Sequence, residues 1–391
     1  MKSKLSDICF YAKGKVNVSG LTDADYISTE NMLPNKGGIT TASSLPSTIQ
    51  TQAYKKDDVL VSNIRPYFKK IWFADFDGGC SNDVLVFRAK EGTDARFLYY
   101  VLADDAFFDY STATSKGTKM PRGDKTAIMQ YEVPHFDLPI QKKIAGILAD
   151  IDDKIALNSN INKNLLEQAL AIYKDWFCDY ALSDGILPEN WKITTIDAIS
   201  SLVTRGIAPK YDDSSDQIVL NQKCIRDHTI DISLSRRHLP KKINEKWISK
   251  GDLLINSTGT GTLGRVAQVW FEANNMTVDS HVTIVRPKDP ILQSYIGFWG
   301  LSHESEIEAQ HTGSTGQTEL PRDRVKAMEL PLPDEDTLSK FNELVIPMTS
   351  TVISNQEENA RLSQLRDALL PKLMSGELDV SDIDLKAAKY L

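Results

Sequence analysis

Two short segments of the chain, each directly after an apolar run, carry side chains that could read the edges of nucleic-acid bases. In the first segment, residues 62–70, the candidates are Asn63, Arg65, Tyr67, Lys69 and Lys70. In the second, residues 257–265, they are Ser257, Thr258, Thr260, Thr262 and Arg265. Amide, hydroxyl and guanidinium groups form hydrogen bonds with base edges, and lysines neutralise phosphates. We interpret the segments as two different DNA-reading tips; two divergent, solvated turns are the alternative.

A second pair of segments could hold phosphate groups. Small hydroxyl residues and glycines in residues 114–119 and 312–317 would let backbone amides approach an anion, and a nearby Lys or Arg adds charge. The candidates in the first segment are Ser115, Lys116, Lys119 and Arg122. Those in the second are Ser314, Thr315, Gln317 and Arg322. We predict that these segments position a DNA backbone, with a structural turn as an equal alternative.

The densest basic cluster of the chain lies apart from these segments. It consists of Arg236, Arg237, Lys241 and Lys242, with His238 among them. Such a cluster can bind phosphates. A solvated, charged surface explains the same residues, so both interpretations stay open.

A glycine motif at residues 259–264 resembles a nucleotide-binding pattern. Its sequence, GTGTLG, fits G-x-G-x-x-G, but a dinucleotide site requires a helix to follow, with its N-terminus on the pyrophosphate. Residues 265–270 read as a strand instead, and the matching residues 62–70 contain no glycine. We therefore predict a hairpin tip at this motif.

Sequence patterns that would indicate catalysis or a metal site are missing. The chain has no Asn/Asp-Pro-Pro-aromatic methyltransferase motif and no G-x-x-x-x-G-K-[ST] phosphate loop. The six histidines show no metal-ligand spacing, and the four cysteines are far apart without a C-x-x-C pair. We predict a chain with no catalytic residue, no metal and no cofactor, in a reducing cytoplasm.

The candidate segments occupy matching positions in an internal repeat whose offset stays between 191 and 200 residues. The matching pairs are Leu5–Ile8 with Ile196–Ile199, 56–61 with 250–255, 83–88 with 281–286, and Pro121-Arg122 with Pro321-Arg322. This period is too long for solenoid repeats of about 20–50 residues. It predicts two whole domains of one design, which bind two related parts of a pseudo-symmetric ligand.

Each repeat is predicted to be a strand-rich domain with few helices. In the first repeat, β-branched or aromatic runs bounded by Asp, Gly and Asn predict strands at residues 59–61, 71–73 and 84–87. One helix is predicted from Ala95 to Tyr110, with a counterpart from Gln293 to Ala309. The fold class is therefore α+β.

A long amphipathic helix is predicted after each repeat, the first beginning near Pro139, which suits a first helical turn. Its apolar stripe, at spacings of three and four, is Ile144, Ile147, Ile151, Ile155, Ile161, Leu165, Ala169, Ile172 and Trp176. The second stripe is Phe341, Val345, Met348, Val352, Asn355, Asn359, Leu362 and Leu369. Pro347 predicts that the second helix begins at Met348 or bends there.

Asparagines interrupt both stripes, Asn158 in the first and Asn355 and Asn359 in the second. A polar residue at the seam of a coiled coil weakens it but fixes its register and pairing. We therefore predict that the two helices pair as an antiparallel coiled coil, related by a pseudo-two-fold; two helices packed separately are the alternative. A helix over residues 140–177 would be about 57 Å long and would hold two domains at a fixed distance.

The charge distribution separates the end of the chain from the rest. Net charge is −8, and residues 334–391 alone carry 6 basic and 11 acidic side chains. The two repeats are nearly balanced, so either can still present a basic face. No apolar run reaches the roughly 18–20 residues of a membrane span, so no membrane association is predicted.

The motifs at the ends of the long helices resemble a known family. The first helix opens with LPIQKKI at residues 138–144 and closes with KDWFCDY at 174–180, and the second closes with LLPKLMSGEL at 369–378. With two variable domains alternating with two long helices, the chain resembles the DNA-specificity subunit of type I restriction–modification enzymes. The resemblance covers nearly the whole chain.

The resemblance implies a division of the chain and a set of partners. It places target-recognition domains at residues 1–138 and 181–333, a central spacer helix at 139–180, and a C-terminal spacer helix and tail at 334–391. Each domain would recognise half of a bipartite, asymmetric site in double-stranded DNA. The helices would set the gap and dock two methyltransferase subunits.

The same resemblance implies that catalysis belongs to other chains. S-adenosylmethionine would bind to the methyltransferases and ATP to a separate motor–nuclease (restriction) subunit, so this chain would be non-catalytic. The acidic C-terminal segment would then face protein partners. A two-domain protein-interaction scaffold without DNA binding is the alternative function.

Overall fold

The computed structural model of the protein describes residues 2–239, 243–259, 261–313 and 318–383. Contacts divide the chain into two compact units. Unit 1 comprises Met1–Ala156 and Asn359–Leu391, and unit 2 comprises Leu157–Glu358. Each unit therefore contains one repeat and part of each long helix.

The first repeat is built from short strands and four short helices. Its strands are β1 (Lys2–Lys4), β2 (Cys9–Tyr11), β3 (Lys15–Asn17), β4 (Tyr26–Ile27), β5 (Gln50–Tyr54), β6 (Val59–Ser62), β7 (Ile71–Phe73), β8 (Gly78–Cys80), β9 (Val84–Ala89) and β10 (Glu132–Pro134). Its helices are α1 (Leu5–Ile8), α2 (Ala95–Ala103), α3 (Asp105–Ala113) and α4 (Lys125–Ile128). The strands predicted at 59–61, 71–73 and 84–87 are confirmed.

The principal sheet of unit 1 has the order β2-β9-β6-β7 and is antiparallel throughout. All four residues of β6 are buried, because alternate side chains face opposite layers. Val59 and Val61 join the cluster that contains α2 and α3, whereas Leu60 packs toward the second sheet, β3-β5-β8-β4. This double burial makes β6 a rigid base for the residues that follow it.

The second repeat follows the first long helix. Its strands are β11 (Lys192–Thr195), β12 (Ser200–Arg205), β13 (Ile218–Leu220), β14 (Ile225–Arg226), β15 (Thr229–Ile230), β16 (Arg236–Arg237), β17 (Leu253–Asn256), β18 (Val266–Gln268), β19 (Met276–Val278), β20 (Val282–Pro287) and β21 (Glu329–Leu332). Its helices are α6 (Ile196–Ile199), α7 (Gln293–Ser302), α8 (Glu304–Ala309) and α9 (Arg322–Lys326).

The principal sheet of unit 2 has the order β12-β20-β17-β18, which repeats the order of unit 1 strand by strand. The terminal pairing β1–β10 also returns as β11–β21. The outer sheets differ, because unit 2 has a three-stranded sheet, β16-β13-β19, where unit 1 has four strands. The repeat predicted from the sequence is thus confirmed for the principal sheets.

The prediction of a single helix in each repeat is wrong in one respect. Each predicted helix is divided into two shorter ones. Asp104 has an extended backbone between α2 and α3, and its carboxylate accepts a hydrogen bond from the Ala106 N–H (3.0 Å). In the second repeat the break falls at His303, between α7 and α8. An aspartate favours this position because it satisfies an amide at the start of the new helix.

The two long helices are α5 (Leu138–Phe177) and α10 (Glu335–Ser375). Each begins directly after an aspartate: the carboxylate of Asp137 accepts from the Ile140 N–H and that of Asp334 from the Thr337 N–H, both at 3.0 Å. The prediction that the second long helix begins at Met348 is wrong, because α10 begins 13 residues earlier, at Glu335. Pro347 is exposed within the helix.

The helices are antiparallel in each unit, as predicted. In unit 1, Asp152 pairs with Arg366 at 2.8 Å, and the backbone carbonyl of Ile155 accepts a hydrogen bond from Asn359. Residue numbers rise along one helix as they fall along the other, so the two helices run in opposite directions. In unit 2, Tyr173 contacts Phe341 with ring centroids 6.1 Å apart.

Polar residues occupy the middle of the seam between the helices. In unit 2, Asn355 donates to the side-chain oxygen of Asn162 at 2.8 Å, and Asn158 donates to Glu358 at 2.6 Å. Ile161, predicted in the stripe, is 37% exposed, and Asn162 takes the seam position instead with 8% exposure. These side chains pair with one another across the seam, which specifies one register.

None of the helices in the described ranges is both long enough and apolar enough to span a membrane.

Candidate nucleic-acid interface

In the first repeat, the two predicted segments come together at one end of the principal sheet. The tip at residues 62–70 joins β6 to β7, and the backbone of Ile64 pairs with that of Arg122. The Arg65 N–H donates to the Pro121 carbonyl at 2.8 Å, and Lys116 and Arg122 exchange two backbone hydrogen bonds of 2.9 Å. Residues 62–70 and 114–122 therefore form one surface, which we call face 1.

The tip of face 1 has a fixed backbone. Arg65 and Lys69 both have a φ of 51°, the left-handed conformation, on either side of the short 3-10 helix Pro66–Phe68. The Asn35 N–H donates to the Phe68 carbonyl and the Lys36 N–H to the Lys69 carbonyl, both at 2.8 Å. A loop of the same repeat thus holds the tip from the side.

The basic side chains of face 1 are held by acidic neighbours. Lys69 and Lys36 both pair with Asp105, at 2.9 and 2.8 Å. Burial opposes ionisation of Asp105, but hydrogen bonds from the two lysines outweigh it and lower the pKa of this carboxyl. In this way Asp105 keeps two cations beside the tip.

The loop of face 1 carries two more ion pairs. Lys116 pairs with Asp124 at 2.5 Å and Arg122 pairs with Asp83 at 3.2 Å. The side chains of Lys116 and Arg122 are 81% and 54% exposed, so both remain open to a polyanion. Lys119 is also exposed, whereas the Ser115 hydroxyl donates to the Thr112 carbonyl at 2.7 Å and is half-buried.

Not every candidate of face 1 is accessible. Asn63 is only 8% exposed, and its side-chain oxygen is buried without a hydrogen-bond partner, as is the Nε of Arg65. A Cβ on Gly123 would come within 2.8 Å of that asparagine oxygen. Asn63 therefore supports the junction between tip and loop, and it does not present its amide to a ligand in this conformation. Lys70 donates to the Thr29 carbonyl at 2.6 Å and is half-buried.

The corresponding surface of the second repeat is face 2, residues 256–265 and 312–322, of which residues 256–259, 261–265, 312–313 and 318–322 are described. The backbone of Thr258 pairs with that of Glu319, and the Leu320 N–H donates to the Ser257 carbonyl at 2.8 Å. Tip and loop therefore meet in this repeat as they do in the first.

The glycine motif of face 2 is a hairpin tip, as predicted. Gly259, Gly261 and Gly264 have φ values of 103°, 74° and 85°, which L side chains rarely adopt. Strand β18 follows the motif and pairs antiparallel with β17. A strand therefore stands where a dinucleotide site requires a helix, so the dinucleotide pattern lacks its structural context.

The hydroxyl candidates of face 2 differ in accessibility. Ser257 is wrong as a contact residue, because it is fully buried and its hydroxyl lies 2.6 Å from that of Thr283. The Thr258 hydroxyl is hydrogen-bonded to His281 at 2.8 Å, and both Thr258 and Thr262 are half-buried. Arg265 is half-buried as well.

Two residues that were not predicted organise face 2. The side-chain amide of Gln222 donates to the Thr258 carbonyl at 2.7 Å, and the Arg205 guanidinium pairs with Glu319 at 2.7 Å. Arg205 also donates to the Leu320 carbonyl at 2.8 Å. Both residues are distant in sequence from the tip, so the local pattern around the tip gives no signal of them.

The structure corrects the alignment of the two loops. The Gly123 N–H donates to the Asn63 carbonyl, and the Leu320 N–H donates to the Ser257 carbonyl in the same way. Gly123 therefore corresponds to Leu320, and the preceding residues, Arg122 and Glu319, correspond to each other. Arg322 then corresponds to Lys125, the first residue of α4, since Arg322 is the first residue of α9. The predicted match of Pro121-Arg122 with Pro321-Arg322 is therefore wrong by three residues.

The two faces consequently differ in charge. Residues 62–70 and 114–122 contain six basic residues and no acidic one, whereas residues 256–265 and 312–322 contain Arg265, Arg322 and the acidic Glu319. Because phosphate contacts come mainly from lysine and arginine, face 1 can supply most of the electrostatic attraction to a duplex.

The basic cluster at residues 236–242 is only partly described. Arg236 stacks on the ring of Tyr211, with the guanidinium carbon 3.4 Å from the ring centroid, and Arg237 donates to the Ser215 carbonyl at 2.6 Å. Both arginines are exposed on β16. Six candidates lie outside the described residues: Lys241, Lys242, Thr260, Ser314, Thr315 and Gln317.

The described residues contain no group of three or more His, Cys, Asp or Glu side chains that could hold a metal ion. Burial raises the pKa of Cys9 and Cys80 to about 12 and that of Cys224 to about 11. These thiols are therefore protonated near neutral pH and are poor nucleophiles. The two faces offer hydrogen bonds and charge, which suit recognition of a ligand.

Comparison with solved structures identifies the fold. The crystal structure of a type I restriction–modification system S subunit from M. genitalium matches with a TM-score of 0.63 at 15% identity, over 96% of each chain. The two repeats with their shared long helices are thus an established architecture.

Sequence comparisons find similar specificity subunits. The model described as "Type I restriction modification DNA specificity domain" matches residues 1–167. The HindI specificity subunit of Haemophilus influenzae is 23% identical over 96% of this chain and 98% of its own length. The MjaIX specificity subunit of Methanocaldococcus jannaschii is 24% identical over 75% of this chain and 71% of its own. Residues 1–167 thus match a type I restriction modification DNA specificity domain, and the chain is similar to the HindI specificity subunit over nearly its whole length.

Proposed function

We propose that this chain is the non-catalytic DNA-recognition subunit of a type I restriction–modification complex. Face 1 reads one half of a bipartite, asymmetric DNA site and face 2 reads the other. The observation that carries this proposal is that equivalent sheets bring tip and loop together in both repeats, while the side chains presented there differ. Two equivalent backbone frameworks that present different side chains suit two half-sites of different sequence.

The long helices perform the second part of this function, which is to space the half-sites and to dock the partner subunits. Each is about 60 Å long at 1.5 Å per residue, and each belongs partly to both units. They set the gap between the half-sites and provide the surface on which two methyltransferase subunits dock. S-adenosylmethionine binds to those subunits, and ATP binds to a motor–nuclease subunit where one is present.

Long-read mapping of methyladenine tests this function in cells that carry the cognate methyltransferase, with and without the chain. We expect a bipartite methylated motif that disappears when the chain is deleted and returns when it is restored. Identical methylation in the two strains would contradict the proposal. Binding to partner proteins without any affinity for duplex DNA at low salt would favour the scaffold function instead.

A further inference from the structure

Face 1 exposes two aromatic rings side by side at its tip. Tyr67 is 48% exposed and Phe68 is 39% exposed, and their ring centroids are 4.8 Å apart. Single exposed apolar residues are common on protein surfaces, but an adjacent aromatic pair at the end of a hairpin is a larger apolar area with a defined shape. The core of unit 1 does not use these rings, so they are available to a ligand.

The rings are held in place before any ligand binds. Left-handed backbone conformations at Arg65 and Lys69 enclose the turn that carries them, and the Phe68 carbonyl accepts a hydrogen bond from the Asn35 N–H. A binding group that is already ordered loses little conformational entropy on association. The tip is therefore built to present the rings in one orientation.

Three lysines lie near the aromatic pair. The Lys70 ammonium is 6.0 Å from the centroid of the Phe68 ring, and Lys69 and Lys36 are fixed beside it by Asp105. Proteins that bend or unstack DNA combine cations on the phosphates with apolar side chains inserted between bases. Aromatic rings also stack on any base, whatever its hydrogen-bonding edge.

Face 2 has no equivalent of this pair. Its tip contains three glycines, and its one large apolar side chain, Leu263, is only 7% exposed. The difference is confined to the tips, because the strands on either side, β6 and β7 in one repeat and β17 and β18 in the other, pair in the same way.

We propose that Tyr67 and Phe68 form a wedge that stacks against bases and opens one base step in the half-site read by face 1, while face 2 reads its half-site without a wedge. This inference rests on the proposed function and adds an asymmetric deformation of the DNA. Pyrimidine–purine steps unstack most easily, so the half-site of face 1 contains such a step at the wedge.

Duplexes that carry the mapped methylation motif test the wedge when 2-aminopurine replaces one adenine at a time. The adenines that become methylated are left unreplaced, because methyltransferases extrude their target base from the stack. With the full chain in its methyltransferase complex, we expect fluorescence to rise at one step in one half-site only. The variant Tyr67→Ala/Phe68→Ala should lose this signal and bind roughly ten- to hundredfold more weakly. Tyr67→Phe and Phe68→Tyr keep the rings and should keep the signal.

Phe10→Ala is the matched control. Phe10 is 41% exposed in the same repeat, but it lies away from the tip. It pairs with Arg88 near one end of β9, whereas Ser62, at the tip, pairs with Val84 at the other end. This control should behave as the wild type. Unchanged fluorescence and affinity in the double alanine variant, or equal signals in both half-sites, would overturn the wedge. If the wild-type complex binds no duplex, the proposed function itself fails.

Discussion

Arg88 donates two hydrogen bonds of 2.7 Å to the buried carboxylate of Asp58. In the second repeat, Arg286 donates to the carboxylate of Asp252 in the same way, at 2.8 and 2.7 Å. Each aspartate is 1% exposed and directly precedes the strand that leads to a tip. The same ion pair therefore fixes the base of the hairpin in both repeats.

Removal of one partner should destabilise the first repeat strongly. Arg88→Met leaves the Asp58 carboxylate buried without its cation, which typically costs about 3 kcal/mol in the free energy of unfolding. Urea unfolding measures the loss. The control is Arg96→Met, whose pair with Asp153 has side chains 45% and 66% exposed and is expected to contribute less than about 1 kcal/mol. Equal losses in the two variants would show that burial does not decide the strength of the Asp58 pair.

The charge difference between the faces should appear in the salt dependence of DNA binding. Each phosphate contact contributes about 0.9 to the slope of log K against log salt, so Lys116→Ala/Lys119→Ala should reduce that slope by about two. Thr258→Ala in face 2 should leave it unchanged. Fluorescence anisotropy over a salt series gives the slopes. Lys56→Ala, which precedes β6 at the end opposite the tip, is the control, and a comparable effect there would mean that the attraction is not localised to face 1.

The asparagine pair in the helix seam should show coupling. Asn162→Leu leaves the Asn355 amide without its 2.8 Å acceptor, which should cost about 1–3 kcal/mol of stability. Asn162→Leu/Asn355→Leu removes both polar groups and should recover that loss, because an apolar seam is more stable, although less specific in register. A double-mutant cycle by thermal unfolding measures the coupling. Additive losses would indicate that the two side chains act independently.

The start of α10 should give the protein an acid-sensitive element. The Thr337 N–H and hydroxyl and the Trp191 indole donate to Asp334 and hold its pKa at about 2. Since the unfolded value is about 3.9, this stabilisation is complete above pH about 5 and is lost as pH falls toward 2. Asp334→Asn should flatten the stability profile in that window and Asp336→Asn should not. A parallel profile for wild type and Asp334→Asn would contradict the assignment.

The helices can be tested as the element that sets the gap. Insertion of seven residues, one heptad, into both α5 and α10 keeps the seam in register and lengthens each helix by about 10 Å. The gap of the methylated motif should then grow by about three base pairs at 3.4 Å each. Methylation mapping reads the result directly. An unchanged gap would assign the spacing to another part of the complex.

Local patterns predicted the strands and long helices because burial leaves a periodic signal in sequence. The break at Asp104 also has such a signal, since an aspartate followed by a helix former is a typical helix start. A spacing of four from Asn158 leads likewise to Asn162 in the seam, whereas a spacing of three leads to Ile161, so periodicity alone does not decide between them.

The candidate interface was harder to predict than the fold, because the residues that contact each other there are far apart in the sequence. Ile64 meets Arg122 and Thr258 meets Glu319 across about 60 residues. The burial of Ser257 depends on a neighbour from another strand, Thr283, and not on its own segment. The match of Arg122 with Glu319 likewise required backbone hydrogen bonds, because both loops contain a Pro-Arg pair that misleads an alignment.

The opposite charges at Arg122 and Glu319 have a consequence for the order of events in time. Long-range attraction acts before any base is read, and of the two faces the one with six cations attracts a duplex more strongly. A duplex would therefore be captured by the first repeat and examined by the second only afterwards. Recognition of the two half-sites would then occur in two steps, with the weakly charged face acting second.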